Sequence, residues 1–188
     1  MTNAHKREKQ PELVRHALVE QAARSAATQG LASLTLKNVA DAVGVTKGGL
    51  LHHFPSKQAL IEAVFEDLLR KLDEEIDKLI EHDPVKQGGF SRAYIDAFFH
   101  VTRDGKESPW AALSISCMTD ARLRARWSEW MRERLKCHAT TDGAPHLALA
   151  RYAADGIWLA NITEISGLPA GELNRLRDQL KTMTVSPP

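Results

Sequence analysis

From residue 34 to residue 60 the chain reads LTLKNVADAVGVTKGGLLHHFPSKQAL, with apolar positions recurring at helical spacing. Leu36, Val39, Ala40 and Val43 fall at i, i+3, i+4 and i+7, one apolar face of a two-turn helix. Thr35 precedes it as a natural N-cap. Gly44 follows, where a tight turn needs a residue that tolerates positive φ. Val45 returns an apolar side chain to the first helix, and Thr46 caps a second, running from about Thr46 to His53. That helix sends Leu50 and Phe54 inward and leaves Lys47, Gly48, Gly49, Leu51, His52 and His53 to its outer faces. Pro55-Ser56 stops it and caps the next.

Helical periodicity continues beyond Phe54. A long helix from about Ser56 to His82 keeps Leu60, Val64, Leu68, Leu72, Ile76 and Leu79 or Ile80 on one stripe. Asp83-Pro84 ends it and Gly88-Gly89 is expected to loosen the turn. Further helices are expected from Phe90 to Thr102, around Trp110 to Met118, and from Asp120 to His138. A loop bracketed by Gly105 and Pro109 separates the first two, and a break from Thr140 to Pro145 follows the third. Leu147 to Ser166 and Pro169 to Met183 complete the series, with Pro169 suited to a first turn. No strand-like alternation, internal repeat or low-complexity tract interrupts it. The expected fold is all-α: a three-helix N-terminal domain over residues 1–55, joined by the long helix to a helical domain over residues 56–188.

Composition narrows the class. The 188 residues are 43% hydrophobic, and no run approaches the roughly 18 apolar residues of a membrane span. The polar start MTNAHKREKQP carries no signal peptide, which points to a cytoplasmic protein without a membrane partner. Cys117 and Cys137 lack a Cys-x-x-Cys pairing and read as two free thiols. Net charge is only +1, but it is unevenly spread. The first 60 residues hold eight cations and four anions, a net of +4, which leaves −3 for the remainder. A basic small domain joined to a mildly acidic larger one suits nucleic acid at one end and a different partner at the other.

Two short helices, a glycine turn and a basic outer surface make a helix-turn-helix whose second helix is expected in the major groove of double-stranded DNA. Lys47 is the first candidate for a base or phosphate contact, and Gly48-Gly49 would let the backbone approach closely or admit a thymine methyl. Thr35 and Lys57 lie at helix N-termini, where unpaired N–H groups favour an anion. Lys37, Thr46, His52 and His53 complete the candidate interface, and Lys6, Arg7 and Lys9 form a basic arm. Adjacent histidines on a helix point about 100° apart, which argues against a shared metal.

The segment resembles the DNA-binding domain of the TetR family of transcriptional regulators. The resemblance rests on Thr35, Val39-Ala40, Gly44-Val45-Thr46-Lys47-Gly48, His53-Phe54, Ser56-Lys57 and Leu60. Where family members often have Gly-Thr-Leu-Tyr, this chain has Gly48-Gly49-Leu50-Leu51, so two hydroxyls that usually hold DNA are missing. The resemblance implies a homodimeric repressor on a palindromic operator, released by a small-molecule inducer held in the second domain. The alternative is a DNA-binding protein of the same fold without an inducer. Ala153-Ala154-Asp155-Gly156 also resembles the subset that controls multidrug efflux.

All four Trp residues lie in the second half. An aromatic and Met stripe at helical spacing is more often core than cavity. The family implication makes Leu68, Phe98, Phe99, Trp110, Leu113, Cys117, Trp127, Trp130, Met131, Trp158 and Asn161 the candidate lining for an apolar or aromatic ligand. His100 and Glu164 are further polar candidates. Ala153, Gly156 and Ala160 are small residues that would let helices of two subunits approach. No Gly-x-Ser-x-Gly, His-Glu-x-x-His, P-loop or cleft-forming carboxylate pair marks an enzyme. No cofactor is implied.

Overall fold

The computed structural model describes residues 4–101, 109–163, 167 and 169–185, with the side chains of 4–10, 101, 112 and 170 outside the description. The Gly105 loop, Glu164 and the side chains of Lys6, Arg7 and Lys9 therefore lie outside the described residues. The elements are α1 (Ala4–Ser33), α2 (Leu36–Val43), α3 (Lys47–His53), α4 (Lys57–His82), α5 (Gly89–Val101), α6 (Pro109–Thr119), α7 (Ala121–Cys137), α8 (Ala139–Asp142), α9 (Pro145–Ile162) and α10 (Ala170–Val185). Among the described residues all regular structure is helical.

Side-chain oxygens fix the starts of the head's helices. Thr35 accepts from the Asn38 N–H at 3.1 Å, Thr46 from Gly49 at 3.0 Å and Ser56 from Ala59 at 3.0 Å. Each oxygen satisfies one of the amides that a helix start leaves unpaired. Gly44 ends α2 in the left-handed region at φ 77°, with its N–H on the carbonyls of Ala40 and Asp41. Upstream, α1 is interrupted at Gly30, φ 76° and ψ 156°, before it meets α2.

One hydrophobic core runs from the head into the larger domain. It joins Leu18, Val39, Leu50 and Phe54 to Leu60, Leu68, Leu72 and Ile76 of α4, then to Phe90, Tyr94, Phe98, Trp110, Leu113 and Trp130. Because α4 supplies the middle of that core, its position bears on both ends. A smaller cluster of Ile95, Ala150, Ala154 and Leu180 packs α5, α9 and α10 together.

Two expectations need correction. The stretch from Thr140 to Pro145 is not a plain break, because Ala139–Asp142 forms one helical turn. Asp142 is nearly fully buried there and accepts from the Ser91 N–H at 2.8 Å and the Ser91 Oγ at 2.6 Å. Gly88-Gly89 does not loosen its turn either. Gly88 is buried at φ 72°, and a Cβ on it would lie 3.0 Å from Arg92 Nη1 and 3.1 Å from the Thr184 carbonyl. The buried Arg92 guanidinium locks this turn, donating to Asp83 Oδ2 at 2.7 Å, the Gln87 carbonyl at 3.0 Å and the Val85 carbonyl at 2.5 Å.

Candidate DNA interface and effector region

Most of the candidate DNA-contacting residues stand in water. Thr35, Lys37, Thr46, Lys47, Gly48, Gly49 and His52 are exposed, whereas His53 and Lys57 are half-buried. They gather on the α2–turn–α3 unit and the first turn of α4. The Thr35 and Thr46 oxygens accept backbone N–H groups, which leaves each hydroxyl proton to donate to a phosphate oxygen. His52 and His53 stand ring to ring at 5.7 Å and 72°, and the His53 ring is tilted at 46° to that of Phe54, 6.4 Å away. Lys57 is not wholly turned to solvent: its Nζ donates to the Ala32 carbonyl at 3.2 Å, tying α4 to the end of α1. Gly48 and Gly49 lie within α3, where each costs about 1 kcal/mol relative to alanine.

Interior packing sets α3 in place. Leu50 is fully buried and Phe54, whose N–H returns to the Leu50 carbonyl, is 3% exposed. Arg15 of α1 lies 5.3 Å over the Phe54 ring, a cation–π contact that ties the exit of α3 to the first helix. Nothing in the local motif announced Arg15, since it lies far upstream.

In the larger domain the candidate ligand residues separate into groups. Leu68, Phe98, Trp110, Leu113 and Trp130 are buried in the main core. Trp127, Met131, Trp158 and Cys117 are half-buried at its margin. Phe99 belongs elsewhere: it packs against the α5–α9–α10 cluster, because adjacent residues on a helix face different directions. Asn161 is half-buried in the last turn of α9, and His100 is exposed.

The aromatic rings form a chain. Phe90, Tyr94 and Phe98 follow one another along α5 at 6.0 and 4.4 Å between centroids. Phe98 then meets Trp127 at 5.9 Å and Trp158 at 6.2 Å, both edge to face. Trp127 stacks on Trp130 at 4.9 Å and meets the Trp110 edge at 6.4 Å. Edge-to-face and offset pairs of this kind are the favoured aromatic geometries.

Two ionisable groups lie near this chain. The Tyr94 hydroxyl donates to Asp155 Oδ1 at 2.6 Å. Burial pushes the Asp155 carboxyl up to about 6, against the Tyr94 hydrogen bond and the Arg151 charge, which pull it down. Burial and the Asp120 carboxylate push the Cys117 thiol up to about 11, so it stays protonated at neutral pH.

Sequence reading missed a polar ladder between α4 and α7. Arg122 pairs with Glu62 at 3.4 Å, Arg126 with Glu66 at 3.2 Å, and Arg134 with Asp73 and Asp77 at 2.7 Å each. The Trp130 Nε1–H donates to Asp73 Oδ1 at 2.8 Å. At its upper end Gln58 donates to Asp120 Oδ2 at 3.0 Å, the same carboxylate that caps α7. Residue numbers rise together on both sides, so the two helices run parallel. A visible signal existed: acidic residues on α4 and basic ones on α7 each recur mostly at a spacing of four.

Family comparisons fit this architecture. Residues 88–185 match a model described as the tetracyclin repressor-like C-terminal domain, and residues 18–64 match the bacterial regulatory proteins of the tetR family. The chain belongs to the TetR family. It is therefore related to transcriptional regulators rather than to enzymes. The chain is similar to the HTH-type transcriptional repressor KstR2 of Mycolicibacterium smegmatis, 40% identical over 60 residues, 32% of this chain and 29% of that one. The match to KstR2 of Rhodococcus jostii is 29% identical over 52% of this chain and 46% of that protein. The chain thus spans less than half the length of these curated relatives. A transcriptional regulator from Rhodococcus sp. Rha1 shares the fold with a TM-score of 0.70 and 22% identity, over 91% of this chain and 95% of that one. The multidrug binding protein EbrR, solved in complex with malachite green, gives a TM-score of 0.70 at 17% identity, over 90% and 97%.

Proposed function

We propose that two copies of this chain form a repressor that binds a palindromic DNA operator and is released by a small aromatic or apolar ligand. The observation that carries this reading is the path from half-buried Trp127 and Trp158 through the α4–α7 ladder to the first turn of α4, which adjoins the helix-turn-helix. A ligand wedged beside Trp127 would shift α7, and the ladder would pass that shift to α4. Release requires the ligand to prefer the non-DNA pose by a few kcal/mol, a typical coupling between two sites.

Dimerisation is supported by the outer face of α9. Leu149 is 63% exposed and Tyr152 71%, with Leu159 also exposed. With the exposed Gly156 they recur at spacings of three and four, the pattern of a helix seam awaiting another helix. Within the family reading, α9 and α10 would pair with their counterparts in the partner. The multidrug-binding neighbour complexed with a dye agrees with an aromatic ligand class, and the proposal extends that agreement to this chain.

A repressor without a small-molecule inducer is favoured by one observation: Trp110, Leu113 and Phe98 are already packed with little exposure. Sedimentation of the chain with a fluorescent operator duplex tests the first part. Two chains per duplex is the expected result, and one chain per duplex at saturation would overturn the dimer.

A further inference from the structure

The outer face of α3 carries two features that the packing of the protein does not explain. Gly48 and Gly49 are exposed, and neither has a positive φ. A Cβ built on Gly48 would meet only Thr46 Oγ1, at 3.9 Å. One on Gly49 would meet Thr46 Oγ1 at 3.4 Å and Val45 Cβ at 3.9 Å, ordinary contacts. Alanine would fit both sites within the protein and favour the helix. The packing of the protein therefore does not demand glycine at either position. The second feature is Leu51, an apolar side chain 37% exposed on the same short helix.

Their arrangement suggests what approaches. Leu50 is buried, and successive residues advance by about 100° around a helix, so Gly48 and His52 face most directly outward. Leu51 lies three residues after Gly48, beside it on the next turn. Leu51 thus stands on the side of α3 next to the outward-facing Gly48, though none of its atoms comes within 4 Å of where a Gly48 Cβ would lie. The outer side of α3 therefore presents bare peptide at Gly48 beside one exposed apolar side chain. A phosphate would find no donor in a leucine. In the major groove one base edge is apolar: the 5-methyl of thymine, which proteins read by apolar contact.

We propose that Leu51, beside the bare, outward-facing backbone of Gly48, reads the 5-methyl group of one thymine in each operator half-site. This replaces hydroxyl-bearing side chains by an apolar reader, so α3 gains sequence discrimination where it has lost phosphate donors. The inference rests on the DNA-binding reading and is separable from it.

The test begins by selecting bound duplexes from a random-sequence pool with the full chain. Each thymine of the selected site is then replaced in turn by deoxyuridine, which removes the methyl and keeps base pairing. One position per half-site should lose about fourfold in affinity, the effect of one buried methyl-sized group. In Leu51→Ala the thymine and uracil duplexes should bind alike, and Gly48→Leu, which puts a bulky side chain on the outward face beside Leu51, should weaken binding to the thymine duplex. Uniform tolerance of uracil, or undiminished discrimination in L51A, would overturn this inference while leaving DNA binding intact. Failure to enrich any duplex would overturn the DNA-binding reading and this inference with it.

Discussion

The helix-turn-helix head and the aromatic region of α5, α7 and α9 place their functional side chains in opposite environments. In the head, Lys37, Lys47 and His52 stand in water, and the capping hydroxyls of Thr35 and Thr46 are at the surface. In the aromatic region the candidate groups touch one another, and the carboxylate of Asp155 is held against a buried tyrosine. A surface proposed to meet DNA can be altered without unfolding, whereas an interior proposed to receive a small molecule is also what holds the domain together. Substitutions should therefore separate binding from stability in the head and merge them in the larger domain.

Phe98→Ala gives the largest expected effect. Phe98 touches Tyr94, Trp127 and Trp158, and its removal should cost about 3–5 kcal/mol in urea denaturation. Lys47→Ala, on the head's surface, should change stability by no more than about 0.5 kcal/mol while weakening DNA binding. A cost below about 1 kcal/mol for Phe98→Ala would mean that the aromatic region is loosely filled, and the contrast between the two regions would fail.

Next in size is the pH dependence from Asp155. Its folded pKa, about 6, lies above that of an unfolded aspartate, so the folded form holds the proton more tightly. The stability this contributes is full below about pH 4 and is lost as the pH rises through about 6, a change of about 3 kcal/mol. Asp155→Asn keeps an oxygen for the Tyr94 hydroxyl and removes the charge. It should match the wild type near pH 4 and exceed it at pH 8. Parallel pH profiles for the two proteins would show that Asp155 is well solvated.

Lys57→Ala should produce the smallest change. Beyond its bond to the Ala32 carbonyl, the ammonium has two further N–H donors for a phosphate. The slope of log affinity against log salt should flatten by about one unit, equally for all duplexes. An unchanged slope with weaker binding would reduce Lys57 to its structural tie with α1.

The difference between the regions also explains what the sequence revealed. Thr35, Gly44, Thr46 and Ser56 act within three or four residues of themselves, so their spacing alone disclosed the caps and the turn. Phe98 and Phe99 were indistinguishable by composition, and only the packing of α5 against two different neighbours assigns them to separate clusters. Gly88 looked like a loosening residue because the Leu147 and Thr184 atoms that crowd it arrive from distant parts of the chain. The α4–α7 ladder joins residues some 60 positions apart, and its two charge stripes acquire meaning only when the helices are known to lie side by side.

The proposed function requires the aromatic region and the head to be coupled through α4. All four Trp residues lie outside the head, so their fluorescence reports ligand at one end while labelled operator reports DNA at the other. A panel of aromatic and apolar compounds, titrated with and without saturating operator, measures the coupling in both directions. Coupling through α4 should yield a compound that quenches saturably, binds more weakly to the operator complex, and lowers operator affinity by the same factor, as linkage requires. A compound that quenches saturably yet binds free and operator-bound protein with equal affinity would contradict it.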